Sequence, residues 1–304
     1  MRLDSVVPPV FYPDPAQNTV LQLGLRILDP TQWMQIDQDF SQFQRHKLEQ
    51  KNKNTERVCF ALPGSEAAQQ ELHRQLLQHL VADHGNHFRL QGNTLCWHDE
   101  LSWPSEFTSL WHSALWVQED ICLLENINES YQLTAASVCS PSNWKLEEKR
   151  GGDLDFIHRP VPDYADSLSD RVNRLFNNLK VSGPLLRYNW SIQATNELFW
   201  RDDLLANRKD SRGEDYRGEE RYEKEVDEEK DQDTWFWRVE RQTLRRLPRT
   251  GAIVFAIRIY LHDLSVLMGD ENFLPQLQAI LQRLPKNQLR YKALTRFINR
   301  CDRH

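Results

Sequence analysis

Glycine is scarce, with 11 in 304 residues, and no Walker-type phosphate loop or GxGxxG turn is present. GxSxG and HExxH are missing too. A nucleotide-loop fold therefore has little support, and hydride or phosphoryl transfer is disfavoured. Cysteine is sparse. Cys59, Cys96, Cys122, Cys139 and Cys301 are odd in number and show no paired spacing, which fits reduced thiols in a cytoplasmic setting and not a disulfide framework. The longest apolar run, Ala252 to Leu261, is interrupted by Arg258 and is too short to span a bilayer. The N-terminus shows no apolar leader stretch. The expectation is a soluble cytoplasmic chain with no membrane partner. A basic stripe is also absent. Residues 201–234 carry 14 acidic and 8 basic side chains, a balance of −6, so the 30 acids and 30 bases elsewhere cancel. No nucleic-acid partner is expected.

Against these absences stand ten tryptophans and 39% hydrophobic residues, enough for a thick core or a large pocket. The N-terminal third reads as helical. After Pro30-Thr31, the residues Trp33, Ile36, Phe40 and Phe43 stripe one helix face. Ser65 stands where it can cap a second helix carrying Leu72, Leu76, Leu77 and Leu80, and Pro104-Ser105 opens a third that runs through Trp116. The period then changes. Residues 121–124, 131–138, 186–192, 235–240 and 252–261 read as strands, with a hairpin turn at 126–128. Tyr164, Leu168, Val172, Leu175, Phe176 and Leu179 mark an amphipathic helix over 163–179, and two more helices carry Phe273 to Leu281 and Leu294 to Ile298.

About five strands flanked by helices make an α+β fold. The chain is expected to form one domain: a mainly helical part over 1–117, a sheet core over 118–261 and C-terminal helices over 262–304. The acidic 201–234 segment is expected to be a long, disordered solvated loop joining two strands, or else a docking patch for a basic partner.

Four groups of residues could carry chemistry. His79, His84, His87, Cys96 and His98 invite a zinc reading, but Cys96-Trp97-His98 lacks the usual two-residue spacer. Cys139, in VCSPSNW, reads as a structural thiol at a strand end, although a thiolate there could ligate iron. His158 precedes the stiff segment Pro160-Val161-Pro162, a support suited to a metal-ligating imidazole; a loop or core histidine would read the same way. Arg241, Arg245, Arg246 and Arg249 suit carboxylates or phosphates, or else form one solvated helical turn. Arg187 and Asn189 share the polar side of their strand and would need partners if it is covered.

Six ordered segments carry a resemblance: GLRILDPTQWMQID (24–37), QEDICLL (118–124), CSPSNW (139–144), IHRPVPDY (157–164), RYNW (187–190) and ERQTLRRLP with GAIVFAIRIY (240–260). Together they resemble the haem-dependent oxidative N-demethylase alpha-subunit family, over nearly the whole chain except the acidic segment. The resemblance implies a PAS-like antiparallel sheet with helical elaborations that binds haem b. It further implies oxidative demethylation of dimethylamine with O2, releasing formaldehyde. Electrons would come from NADPH through FMN and a 2Fe–2S cluster on a separate reductase subunit. His158 matches the family's His-x-Pro-Val-Pro motif and is the expected axial iron ligand. Arg241, Arg245 and Arg246, with Arg187 and Asn189, are the expected cofactor contacts. From chemistry alone, Glu119 and Asp120 are candidates to receive a protonated amine, or else to cap a neighbouring element. A haem-binding gas sensor and a haem-free PAS-like interaction protein are the competing readings.

Overall fold

A computed structural model describes residues 23–201, 235–291, 294, 297 and 298. The loop expected at 201–234 lies, except for Arg201, outside the described residues.

In chain order the N-terminal part runs β1 (Arg26–Ile27), α1 (Phe40–Val58), β2 (Cys59–Ala61), α2 (Glu66–Asp83), β3 (Phe88–Gln91), β4 (Thr94–Trp97), β5 (Leu101–Pro104) and α3 (Leu110–Ala114). The middle comprises β6 (Asp120–Ile127), β7 (Ser130–Ser137), α4 (Leu146–Lys149), α5 (Leu154–His158), α6 (Tyr164–Ser167), α7 (Ser169–Asn178) and β8 (Leu185–Gln193). Then follow β9 (Phe236–Arg246), β10 (Ile253–Asp263), α8 (Leu264–Met268), α9 (Phe273–Leu281) and α10 (Lys286–Tyr291).

The strands make a seven-stranded antiparallel sheet in the order β1-β8-β9-β10-β6-β7-β2, and β3-β4-β5 form a small second sheet. The mixed α+β expectation holds, but the main sheet has seven strands where about five were read. The two added strands, β1 and β2, are two and three residues long, too short to show alternation. The hairpin between β6 and β7 turns at Asn128 and Glu129, both at positive φ, which matches the right-handed twist of the flanking strands.

Strict alternation gives the main sheet two unlike faces. On the back face, Ile121, Leu123, Val254 and Ala256 pack against Trp33, Phe40, Leu72 and Leu76 of the N-terminal part. Further along that face, Trp190, Trp237, Val239 and Tyr260 pack against α8 and α9 through Leu264, Phe273 and Leu277. On the front face, Cys122, Leu124, Leu133, Leu244 and Ile253 lie under α4 to α7, which contribute Leu146, Leu154, Tyr164, Val172 and Phe176. Helices α4 to α7 all fall between β7 and β8 in sequence, so one insertion covers one face.

Three helix expectations need correction. Pro30 opens only a short 3-10 turn, started by Asp29, which accepts from the Thr31 amide, and closed at Trp33; the helix begins at Phe40. Residues 101–104 form a strand of the small sheet, and the helix there spans only Leu110–Ala114. The helix expected over 163–179 is broken at Leu168, which leaves α6 and α7 separate. Among the described residues no helix is long and apolar enough to cross a membrane.

The histidines of the N-terminal part are largely covered. Burial pushes the His84 pKa from 6.5 down to about 4, and the His79 charge pushes the same way against the hydrogen bond to the Met34 carbonyl. A folded pKa below the unfolded one means that the unfolded chain binds more protons in that window. Stability therefore rises with pH between about 4 and 6.5 and is lost as pH falls through it. His73, His79 and His158 are displaced in the same direction, each first by burial. Thermal melts from pH 7 to pH 4 should show a falling Tm, and His84→Gln should flatten the slope.

Candidate functional site

The front face changes character across its width. Under α4 to α7 it is apolar. Toward β8 and β9 it becomes a polar array of Arg187, Asn189, Arg238, Glu240 and Gln242, set by cross-strand pairing. Arg187 lies opposite Gln242, Asn189 opposite Glu240, and Ser191 opposite Arg238. On the other side of β9, Ile257 and Ile259 of β10 pair with Gln242 and Glu240 and give the array an apolar border.

His158 closes α5 above this face. Asp153 caps that helix by accepting from the Phe156 amide at 2.8 Å. The loop before it is clamped to β7, since Gly151 donates to the Leu133 carbonyl and Leu133 donates to the Gly152 carbonyl, both at 2.9 Å. Nδ1 of His158 is 2.7 Å from the Leu154 carbonyl, which can only accept, so Nδ1 carries the proton and Nε2 keeps the lone pair. No hydrogen bond to Nε2 occurs among the described residues. The ring stacks on Tyr164 at 4.6 Å and 10°. Burial pushes the His158 pKa down, and the charge of Arg187 adds to this against the Leu154 hydrogen bond, so the ring is neutral at pH 7. A tethered, neutral imidazole with one free basic nitrogen is what an axial metal ligand requires.

Glu240 is the carboxylate of this layer. It accepts from Arg238 Nε at 3.3 Å, from Asn189 Nδ2 at 3.2 Å and from Gln242 Nε2 at 2.9 Å. Burial pushes its pKa up, but the Arg238 guanidinium and the three donors outweigh this and hold it below the usual carboxylate value. Arg238 is fully buried and reaches the Ser140 carbonyl at 2.5 Å.

The other expected site residues are distributed as strand alternation dictates. Arg241 and Arg245 are on the back face. Arg241 donates to the Gln32 and Trp33 carbonyls, and Arg245 reaches Gln75 at 3.2 Å and lies 4.3 Å over the Trp33 ring. Arg246 is on the front face but closes the end of α7, donating to the Leu179 carbonyl at 2.6 Å and to the Phe176 carbonyl. These arginines lie on β9, which replaces the helical-turn alternative for that segment.

Glu119 points to the back face and accepts from the Gln35 amide at 2.8 Å. Asp120 accepts from the Cys139 and Ser140 amides, both at 2.8 Å, so both of its oxygens hold a strand end in place. Burial pushes both carboxyls up. The structure therefore brings His158 and Arg187 together, with Asn189 beside Glu240, and separates Arg241, Arg245 and Glu119 from them. Glu240 and Gln242 were missed by sequence reasoning, although alternation from 235 onward could have placed both beside Asn189.

Cys139 is fully buried, and burial with the charge of Asp120 pushes its thiol well up, so it stays protonated. His87 and His98 face each other at 3.2 Å, and among the described residues no three His, Cys, Asp or Glu side chains converge to hold a metal ion. Haem iron, by contrast, needs only one or two protein ligands.

An open cleft of about 900 Å³ borders the outer side of α5 and α6, with Asp153, Asp155, Asp163 and Asp166 in its walls. Four carboxylates against the single cation Arg159 suit a dianionic cofactor poorly.

The family model described as haem-dependent oxidative N-demethylase, alpha subunit-like, matches residues 24–301.

Proposed function

The chain belongs to the haem-dependent oxidative N-demethylase alpha-subunit-like family, and from that premise we propose that it demethylates a small secondary amine of the dimethylamine kind. Dimethylamine, O2, NADPH and a proton become methylamine, formaldehyde, NADP+ and water. The two electrons arrive through FMN and a 2Fe–2S cluster on a separate reductase subunit. The order of the five long strands, with α4 to α7 inserted on one face, supports a PAS-like core.

One observation carries the reading: His158, tethered through Nδ1 to Leu154, keeps Nε2 free in the layer that also holds Arg187. The residues fit a haem. His158 would bind its iron, Ile157, Val161, Leu185 and Phe255 provide partly buried apolar surface, and Arg187 provides a cation for a propionate. When bound, a b-type haem supplies O2 activation.

The polypeptide does the rest. The apolar residues exclude water from the layer. Glu240, ionised and 15% exposed, receives the ammonium form of the amine and orients it, as a cation leaving water needs an acceptor of opposite charge. This role falls to Glu240 because Glu119 lies on the other face and Asp120 is fully buried, whereas the Glu240 side chain keeps 15% of its surface exposed.

The test supplies dithionite-reduced, haem-loaded protein with O2 and dimethylamine and assays formaldehyde. Amine-dependent formaldehyde supports the reading. Oxidation that no amine alters would indicate a gas-binding module instead. Glu240→Gln should lower kcat/KM about 10- to 100-fold, chiefly through KM, with haem content unchanged.

A further inference from the structure

Gln242 is 7% exposed and lies on the front face opposite Arg187. Its amide orientation follows from its neighbour. The group 2.9 Å from Glu240 Oε2 faces a carboxylate, which can only accept, so it must be the NH2 end. The carbonyl end, Oε1, is then turned away from Glu240, and it is buried with no hydrogen-bond partner among the described residues. A buried acceptor without a donor is destabilising unless a donor arrives from outside the chain.

We infer that Gln242 is a specificity-determining residue for the amine, accepting one N–H of the substrate ammonium while Glu240 accepts the other. This rests on the demethylase reading above and adds a rule to it: the site counts N–H donors. Two adjacent acceptors, one charged and one neutral, match a secondary ammonium with two N–H groups. A tertiary ammonium satisfies one acceptor and a quaternary ammonium satisfies neither. Sites built to hydrogen-bond a ligand reject analogues that lack the donor, because the acceptor then stays buried and unpaired. Methyl count alone would give the opposite ranking, since added methyl groups bury more apolar surface.

The experiment titrates haem-loaded protein with dimethylammonium, trimethylammonium and tetramethylammonium chloride by calorimetry, for wild type, Gln242→Met and Gln242→Glu. In wild type, Kd should rise about 10-fold with each N–H lost. Gln242→Met keeps the length and loses the acceptor, so dimethylammonium should weaken about 10-fold and trimethylammonium much less, and the ratio between them should collapse. Gln242→Glu restores an acceptor and should restore the ratio. An unchanged ratio in Gln242→Met overturns the assignment. So does wild-type protein that binds tetramethylammonium as tightly as dimethylammonium, a result that does not depend on either variant folding. Wild-type protein that holds haem but binds none of the three ions removes the demethylase reading itself.

Discussion

Replacing His158 with alanine should lower haem affinity at least 100-fold. Changing a residue that merely supports a metal ligand typically costs 10- to 100-fold, and deleting the ligand should cost no less. Haemin titration of the purified protein, followed at the Soret band, measures this. The variant also creates a site of imidazole size beside Tyr164, whose ring stacks on His158. Millimolar imidazole should therefore restore the band. The pH response has a definite sign. The folded pKa of His158 is depressed, so the ring stays neutral, and ligation persists, below the ordinary histidine value of 6.5. An unchanged titration in His158→Ala would move the ligand elsewhere. Cys139 is a poor successor, because its buried thiol resists ionisation.

Asp120→Asn should cost about 3 kcal/mol of stability, the largest loss expected from a change of so few atoms. Both carboxylate oxygens accept backbone amides, from Cys139 and Ser140, and the fully buried Lys47 ammonium contributes favourably to Asp120 while donating to the Ala114, Val117 and Glu119 carbonyls. Asparagine would turn an NH2 group toward one of the two amides and remove the strongest of the anions that act on Lys47, leaving the weaker contribution of Glu119. The loss should reach the site only indirectly, because Ser140 also accepts from Arg238, which holds Glu240. Urea melts should show a lower midpoint with an unchanged slope, and the surviving folded fraction should keep its amine Kd. Full stability with abolished turnover would instead mark Asp120 as catalytic.

The strands of the main sheet could be read because β8 and the start of β9 alternate in the sequence, while β6, β7 and β10 stand out as runs rich in apolar residues. The small sheet could not. Cys96, Trp97 and His98 sit among histidines that drew the reading toward metal ligands, and β3 to β5 have only four residues each. The break at Leu168 was hidden because its apolar side chain continues the helical stripe, while the backbone enters α6 through Asp163 at φ 59.

At the site, residue types could be read further than positions. His158 stood out through its prolines, and Arg187 and Asn189 through alternation. The arginines of 241–246 looked like one cluster because charge density carries no information about face. Once the segment is a strand, Arg241 and Arg245 must point opposite to Arg246, and each is already engaged by carbonyls, an amide or an aromatic ring. Glu240 escaped notice because a carboxylate between basic neighbours reads as surface charge, whereas here it is surrounded by Asn189, Arg238 and Gln242.

The most direct measurement is a crystal structure of the haem-loaded protein. The account predicts iron bonded to Nε2 of His158, Nδ1 still on the Leu154 carbonyl, and the porphyrin lying between α5 and the front face beside Arg187. Iron bonded to any other side chain, or haem seated in the outer aspartate-lined cleft, would contradict it.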